Sequence, residues 1–145
     1  MKMQCIKINV NEICNVERAV SGKTYKAGTC FIKLSAVNES VGWIREPGTI
    51  DSGYAALEPK ADINTAYLYI AISRAFPDFL RQYRTTINLQ FDTLKHFVID
   101  WHDDEDAQAY VADQIGTVDS VIEYLENMIE REKEMKRWYL SKMMV

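Results

Sequence analysis

Residues 103–144 read DDEDAQAYVADQIGTVDSVIEYLENMIEREKEMKRWYLSKMM, and the rest of the chain is placed relative to them. Their apolar residues Val111, Ile115, Val118, Ile122, Leu125 and Ile129 advance by alternating steps of four and three. That is the 3.5-residue period of a coiled-coil seam. Glu132 and Lys136 interrupt the register, and Tyr139 and Met143 restore it. Asp103, Asp104, Glu105 and Asp106 crowd the beginning, whereas Lys133, Lys136, Arg137 and Lys142 lie near the end. Both placements complement a helix dipole. Gly116 falls inside the run and costs about 1 kcal/mol relative to alanine. A helix over the whole stretch is about 60 Å long, longer than a domain of about 100 residues is wide. Part of the seam is therefore expected to find its partner outside its own chain.

The chain has 145 residues, 48% apolar and 26% charged. These are the proportions of a globular protein with one real core. No apolar run is long enough for a membrane span. The opening MKMQCIKINV alternates rather than forming the solid apolar block of a signal peptide. A cytoplasmic protein is expected. Cys5, Cys14 and Cys30 are odd in number and contain no CxxC pair. They are expected to be small buried thiols rather than a zinc site or disulfide framework. The net charge of −4 is unevenly divided. Residues 1–95 carry 12 Lys+Arg against 9 Asp+Glu, net +3, and residues 96–145 carry 5 against 12, net −7. A mildly basic head on an acidic helix suits a polyanion-binding head, and suits equally a solvated helix face.

Ahead of the helix, residues 3–10 read as a half-buried strand with Ile6, Ile8 and Val10 on one face. Turns are expected at Ser21-Gly22-Lys23, at Gly28-Thr29 and at Glu46-Pro47-Gly48. Strands are expected at Cys30–Val37, Val41–Ile44, from Thr49-Ile50, and at Tyr54–Leu57, closed by Pro59. Asn64 or Thr65 can cap a helix carrying Leu68 and Ile72. Pro77 suits the first turn of a second short helix reaching Tyr83. A loop at 85–90, a helical turn at Phe91–Lys95 and a strand at Phe97–Trp101 complete the head. The fold class is α+β: a small curved sheet with short helices over residues 1–102, then one long coiled-coil helix over 103–145.

Catalytic equipment is sparse. The chain has no Gly-rich phosphate loop, HExxH or GxSxG. His96 and His102 could pair with a cysteine in space, but no local pattern marks such a pair. Asp51 with Glu58-Pro59-Lys60 matches the D…ExK arrangement of metal-dependent nucleases, in which carboxylates hold Mg²⁺ and the lysine steadies the attacking water. A proline inside that motif disfavours an interior strand, so these residues are read as a strand end. No metal or cofactor is expected. Candidate polyanion contacts are Lys23, Lys26, Lys33, Arg45, Lys60, Arg74, Arg81 and Arg84. The stretch RQYRTTINLQ (81–90) is richer, offering Arg81, Arg84, Thr85, Thr86, Asn88 and Gln90 to phosphates and base edges. The loop GWIREPG, with Trp43 and Arg45, has the same character.

Several motifs in order resemble the specificity subunits of type I restriction–modification systems. Residues 114–144 are similar to the conserved helix ending one half of such a subunit, with Lys133-Glu134-Met135-Lys136 and Leu140-Ser141-Lys142-Met143 as its basic segment and ending. AGTCFIKLSA (27–36), GTIDSGYAALEPK (48–60), TAYLYIAI (65–72) and TTINLQFDTLKHFVI (85–99) resemble successive pieces of its target-recognition domain. Three features depart from the pattern: Thr86 stands where glycine is usual, HDDEDAQ keeps Gln108 but lacks proline, and the domain is short. The resemblance implies one recognition domain and one helix, where the family has two of each. It implies a non-catalytic half subunit that pairs through its helix with a twin. Each copy then reads half of a bipartite site in double-stranded DNA, methyltransferase (modification) subunits dock on the helices and supply the catalysis, and restriction subunits are further partners of the assembly. The alternative is a protein of the same fold that has lost DNA reading and acts as an interaction or regulatory partner through its acidic helix.

Overall fold

The computed structural model describes residues 1–35, 40–85 and 88–144. It divides into two compact units, Met1–Ala109 and Tyr110–Val145.

The first unit is a curled, unclosed set of short antiparallel strands with one long helix against it. Strand β1 (Cys5–Asn9) is followed by a single helical turn, α1 (Val10–Ile13), and then by β2 (Cys14–Arg18), β3 (Thr24–Tyr25) and β4 (Cys30–Lys33). Strands β5 (Val41–Trp43), β6 (Gly48–Thr49) and β7 (Tyr54–Pro59) precede helix α2 (Thr65–Tyr83). A 3-10 turn, Phe91–His96, leads into β8 (Val98–His102). Four strands form the main sheet in the order β2-β7-β4-β5, while β1 pairs with β8 and β3 with β6.

The centre of the sheet shows why this order holds. Ala55, Ala56 and Leu57 of β7 are all buried, as suits a strand with neighbours on both edges and layers on both faces. In β4, Cys30 and Ile32 point inward while Phe31 and Lys33 are partly exposed. Phe31 lies opposite Gly42 on β5, where a β-carbon would sit 2.3 Å from its ring. Glycine there lets the ring lie across the neighbouring strand. Helix α2 buries Leu68, Ile72, Phe76 and Leu80 on one stripe, with Phe97 and Ile99 among the buried residues of the following segment. Asn64 caps it, its Oδ1 accepting from Tyr67 N at 3.0 Å.

Four expectations are corrected. The two short helices are one: α2 runs through Pro77. Proline removes an N–H and crowds the preceding turn, but Phe76, Phe79 and Leu80 around it are buried, and that packing outweighs the local preference. The half-buried first strand is a mostly exposed one, with Ile6 40% exposed, because β1 has a partner along its edge but little covering its faces. Val10, assigned to it, instead begins α1, and β2 was not expected at all. Cys5 is exposed, and only Cys14 and Cys30 are the buried thiols expected. The strand expected over Cys30–Val37 is described as β4 plus an isolated bridge at Ser35; Val37 lies outside the described residues.

The long helix, α3, is Glu105–Met143. It starts two residues later than the acidic run suggests because Asp104 sits in front of it as a cap. Asp104 Oδ1 accepts from Asp106 N at 2.8 Å and Ala107 N at 3.2 Å, and Oδ2 accepts from Lys2 N at 2.9 Å. These donors hold the Asp104 carboxyl below the usual carboxylate range. In its first turns Ala107 and Gln108 are buried, and Gln108 Nε2 donates to His102 O at 2.6 Å. In the second unit Val111 is half-buried, whereas Ile115, Val118, Ile122, Leu125, Ile129, Tyr139 and Met143 are exposed. Among the described residues no helix is long and apolar enough to cross a membrane.

Candidate nucleic-acid interface

The first candidate loop follows β5. Trp43 stacks on Tyr69 of α2 with ring centres 5.8 Å apart and planes 22° apart. The Arg45 guanidinium lies 5.4 Å from the Trp43 ring centre, within cation–π range. Hydrogen bonds Gly28 N to Ile44 O (2.7 Å) and Ile44 N to Thr29 O (3.0 Å) fix the base of the loop. Gly28 turns the chain there with φ +91°, a region that favours glycine. The result is an aromatic step carrying an exposed guanidinium.

The second candidate loop leaves the C-terminus of α2. Arg84 closes the helix, its N–H donating to Leu80 O at 2.9 Å, and its side chain is exposed. Thr85 N and Oγ1 both donate to Asn88 O, at 2.9 and 2.7 Å. Thr85 is thereby spent on shaping the loop rather than offered outward. Asn88 forms a bridge with Ser35, and Leu89 N donates to Leu34 O at 3.0 Å. Asn88 and Gln90 are exposed. Thr86 lies outside the described residues. Beside this loop is an open hollow of about 310 Å³ lined by Arg18, Ser35, Gly53, Asn88 and Gln90 among others. Arg18 sits with its guanidinium 5.7 Å from the Phe91 ring centre. Sequence reasoning missed Arg18 because β2 itself was missed; the alternation in CNVER was the available signal.

The two loops do not form one cluster. Tyr69, under Trp43, and Arg81 are separated by about 18 Å along α2 at 1.5 Å per residue. Several candidate cations are also matched by nearby acceptors. Arg81 pairs with Asp78, Lys23 with Glu17, and Arg74 with Asp100 at 3.8 Å. Lys60 Nζ donates to Asn11 O at 2.7 Å. Arg45 and Arg84 have no ion-pair partner among the described residues. A second, polar hollow of about 380 Å³ is lined by Lys7, Arg74, Asp78, His96 and Asp100, among others. In it the Lys7 ammonium, 2.9 Å from Asp100, holds that carboxyl below its ordinary range.

The nuclease-like triplet is not assembled. Asp51 precedes β7, in a turn where its carbonyl accepts from Tyr54 N at 3.2 Å. Glu58 is near the far end of the same strand, about 13 Å from Tyr54 at ~3.3 Å per residue. Two carboxylates so separated cannot share a cation, and Lys60 is held by main chain. Among the described residues no group of three or more metal-binding side chains forms. Cys5 and His102 do meet, Sγ lying 3.3 Å from Nε2. His102 is held on its other side by Tyr67, whose hydroxyl lies 2.6 Å from Nδ1 and accepts from His102 N at 2.8 Å. With Gln108 on its carbonyl, His102 stitches β8 to α2 and to the first turns of α3. Burial pushes the Cys14 thiol up to about 12 and raises Cys30 as well, which disqualifies both as nucleophiles at neutral pH.

The class these features define is an α+β domain of short curled strands continued by a single long helix. No family model matches the chain, and no curated protein matches it significantly. Solved structures do match, and they give the fold its name: it is the fold of part of a type I restriction–modification S subunit. The S subunit from M. genitalium superposes with a TM-score of 0.62 at 13% identity, covering 87% of this chain and 42% of that one. The HsdS subunit from Thermoanaerobacter tengcongensis gives 0.62 at 13% identity, with 88% and 40% covered. A chain from a structure addressing complex assembly and conformational transition of the type I R-M system gives 0.76 at 15% identity, with 97% and 45% covered. The chain thus spans less than half the length of each of these, and at such identity the likeness is one of fold.

Proposed function

We propose that this chain is a half specificity subunit of a type I restriction–modification system. In this reading residues 1–102 read DNA, residues 103–145 pair with a second copy, and the protein itself performs no chemistry. The observation that carries it is the match of nearly the whole chain to less than half of each S-subunit-like structure, combined with the exposed seam on α3. A sheet domain followed by one helix with an exposed seam completes the arrangement by twofold pairing.

The direction of pairing follows from charge. Residues 103–126 contain eight acidic residues and no basic one, whereas all five bases of the helix lie at 131–142. Parallel copies set acid against acid, and antiparallel copies set acid against base. With Ile129 opposite Leu125 of the twin, Ile115 meets Tyr139 and Asp119 meets Lys133. Glu132 and Lys136 are polar seam positions of the kind that fix register at some cost in stability. On the head, Arg45 with Trp43, and Arg84, Asn88 and Gln90, are assigned to DNA, with Thr86 kept among the DNA candidates and Arg18 added; Arg81 at the end of α2 would first have to leave Asp78, and Thr85 shapes the loop instead. Modification subunits dock on the paired helices in the cytoplasm, and restriction subunits join the assembly.

One observation favours a second reading, in which the fold has lost DNA contact and acts as an interaction or regulatory protein. Arg81, Arg74 and Lys23 are each matched to a carboxylate, which lowers the positive potential of the head. Binding to random duplex DNA over a salt series separates the two. The DNA-reading protein binds at 50 mM salt and weakens steeply as salt rises, and Arg45→Ala lowers the slope by about one. No binding at 50 mM salt supports the second reading.

A further inference from the structure

Seven-residue lettering of α3, with Ile115, Ile122 and Ile129 at a and Val118 and Leu125 at d, exposes a second pattern. In two-stranded coils the flanking e and g rows are usually both charged. Here the e row holds Asp119, Glu126 and Lys133, but the g row holds Val121, Met128 and Met135. The adjoining c row adds Tyr124 and Trp138, with Arg131 between them as its one charge. Rows c, g, d and a are consecutive around a helix, so the apolar arc in this half of α3 is about twice as wide as a two-stranded seam requires. All five extra residues are exposed, from Met128 at 42% to Tyr124 at 63%.

Antiparallel pairing puts like rows together, e against e and g against g. In the register that sets Ile129 against Leu125, Asp119 and Lys133 pair across one side of the rod, with Glu126 meeting its own copy at the axis. On the other side Val121 meets Met135, and Met128 meets its own copy. One side of the two-helix rod is therefore charged and the other is a largely apolar, dry band edged by Arg131. That band has the twofold symmetry of the rod, and its ends carry the same opposed charge halves, so it is complementary to itself.

We propose that the g/c face of α3 is covered by a second pair of the same chain, so that the isolated protein is a tetramer whose four helices pack back to back. This rests on the antiparallel dimer proposed above. The partner is a second copy because the acid-to-base polarity of α3 matches an antiparallel neighbour on this face as it does on the first. The test is sedimentation equilibrium of the full chain, 16.8 kDa, at tens of micromolar. The expected particle is about 67 kDa, four times the mass of one chain. The double variant Val121→Lys/Met135→Glu wets the dry band while adding opposite charges across the dimer. It is expected to sediment as a dimer of about 34 kDa, with the tetramer dissociation constant raised at least a hundredfold. Ile122→Glu/Ile129→Glu is expected to give monomers. A wild-type dimer overturns this inference and leaves the dimer intact, as does a double variant that remains tetrameric. A wild-type monomer overturns both.

Discussion

Truncating Leu125 to alanine separates a paired helix from a solitary one by sign as well as size. Leu125 is 50% exposed. Complete burial of a leucine side chain is worth about 1.5–3 kcal/mol. Covering the remaining half at a twin helix thus contributes roughly 1 kcal/mol per copy and roughly 2 kcal/mol per dimer. At 1.4 kcal/mol per factor of ten, Leu125→Ala weakens the dimer about 30-fold, with any cavity left behind adding to the loss. On an unpaired, solvated helix the same change is neutral or slightly stabilising, because alanine is the better helix former. Sedimentation equilibrium gives the dissociation constant, and the concentration dependence of Tm gives an independent measure. Glu123→Ala, on the polar face, is the control and leaves both unchanged. A dimer as tight in Leu125→Ala as in the wild type refutes the seam.

The thiols divide by environment. In the folded protein at pH 8 a disulfide reagent modifies Cys5 quickly, while Cys14 and Cys30, buried and with raised pKa, react only after denaturation; labelling of Cys14 at the Cys5 rate contradicts their placement. Acid sensitivity has a definite direction at Asp100. Its folded pKa lies below the unfolded carboxyl value of about 3.9, so the unfolded chain binds the proton more readily. The stabilisation is present above that value and is lost as pH falls through the folded one. Asp100→Asn should flatten the decline of Tm below about pH 4, and an unchanged acid limb refutes the Lys7–Asp100 pair.

The sequence was most informative where one period persists. The α3 seam is readable because apolar residues return every 3.5 positions for five turns, and the turns at Gly22 and Gly28 because glycine marks the positive φ that both positions take. The c/g stripe was equally readable, and lies one lettering step from the first. Local signals failed where packing decides. Pro77 looks like a helix start, yet Phe76, Phe79 and Leu80 carry the helix through it. The short β2 hid behind a single helical turn, and Arg18 with it. For the candidate site, residue types were legible but their company was not. The Trp43–Tyr69 stack joins residues far apart in the chain. The Asp78–Arg81 pair lies at helical spacing, a feature visible in the letters whose effect on the head's potential only the structure exposes.

In the proposed assembly two copies read two separated half-sites. Repeated selection of bound duplexes from a random pool, followed by sequencing, tests it most directly. The enriched sequences are expected to carry two inverted half-sites separated by an unread spacer of constant length. A single contiguous site, or no enrichment at 50 mM salt, contradicts it.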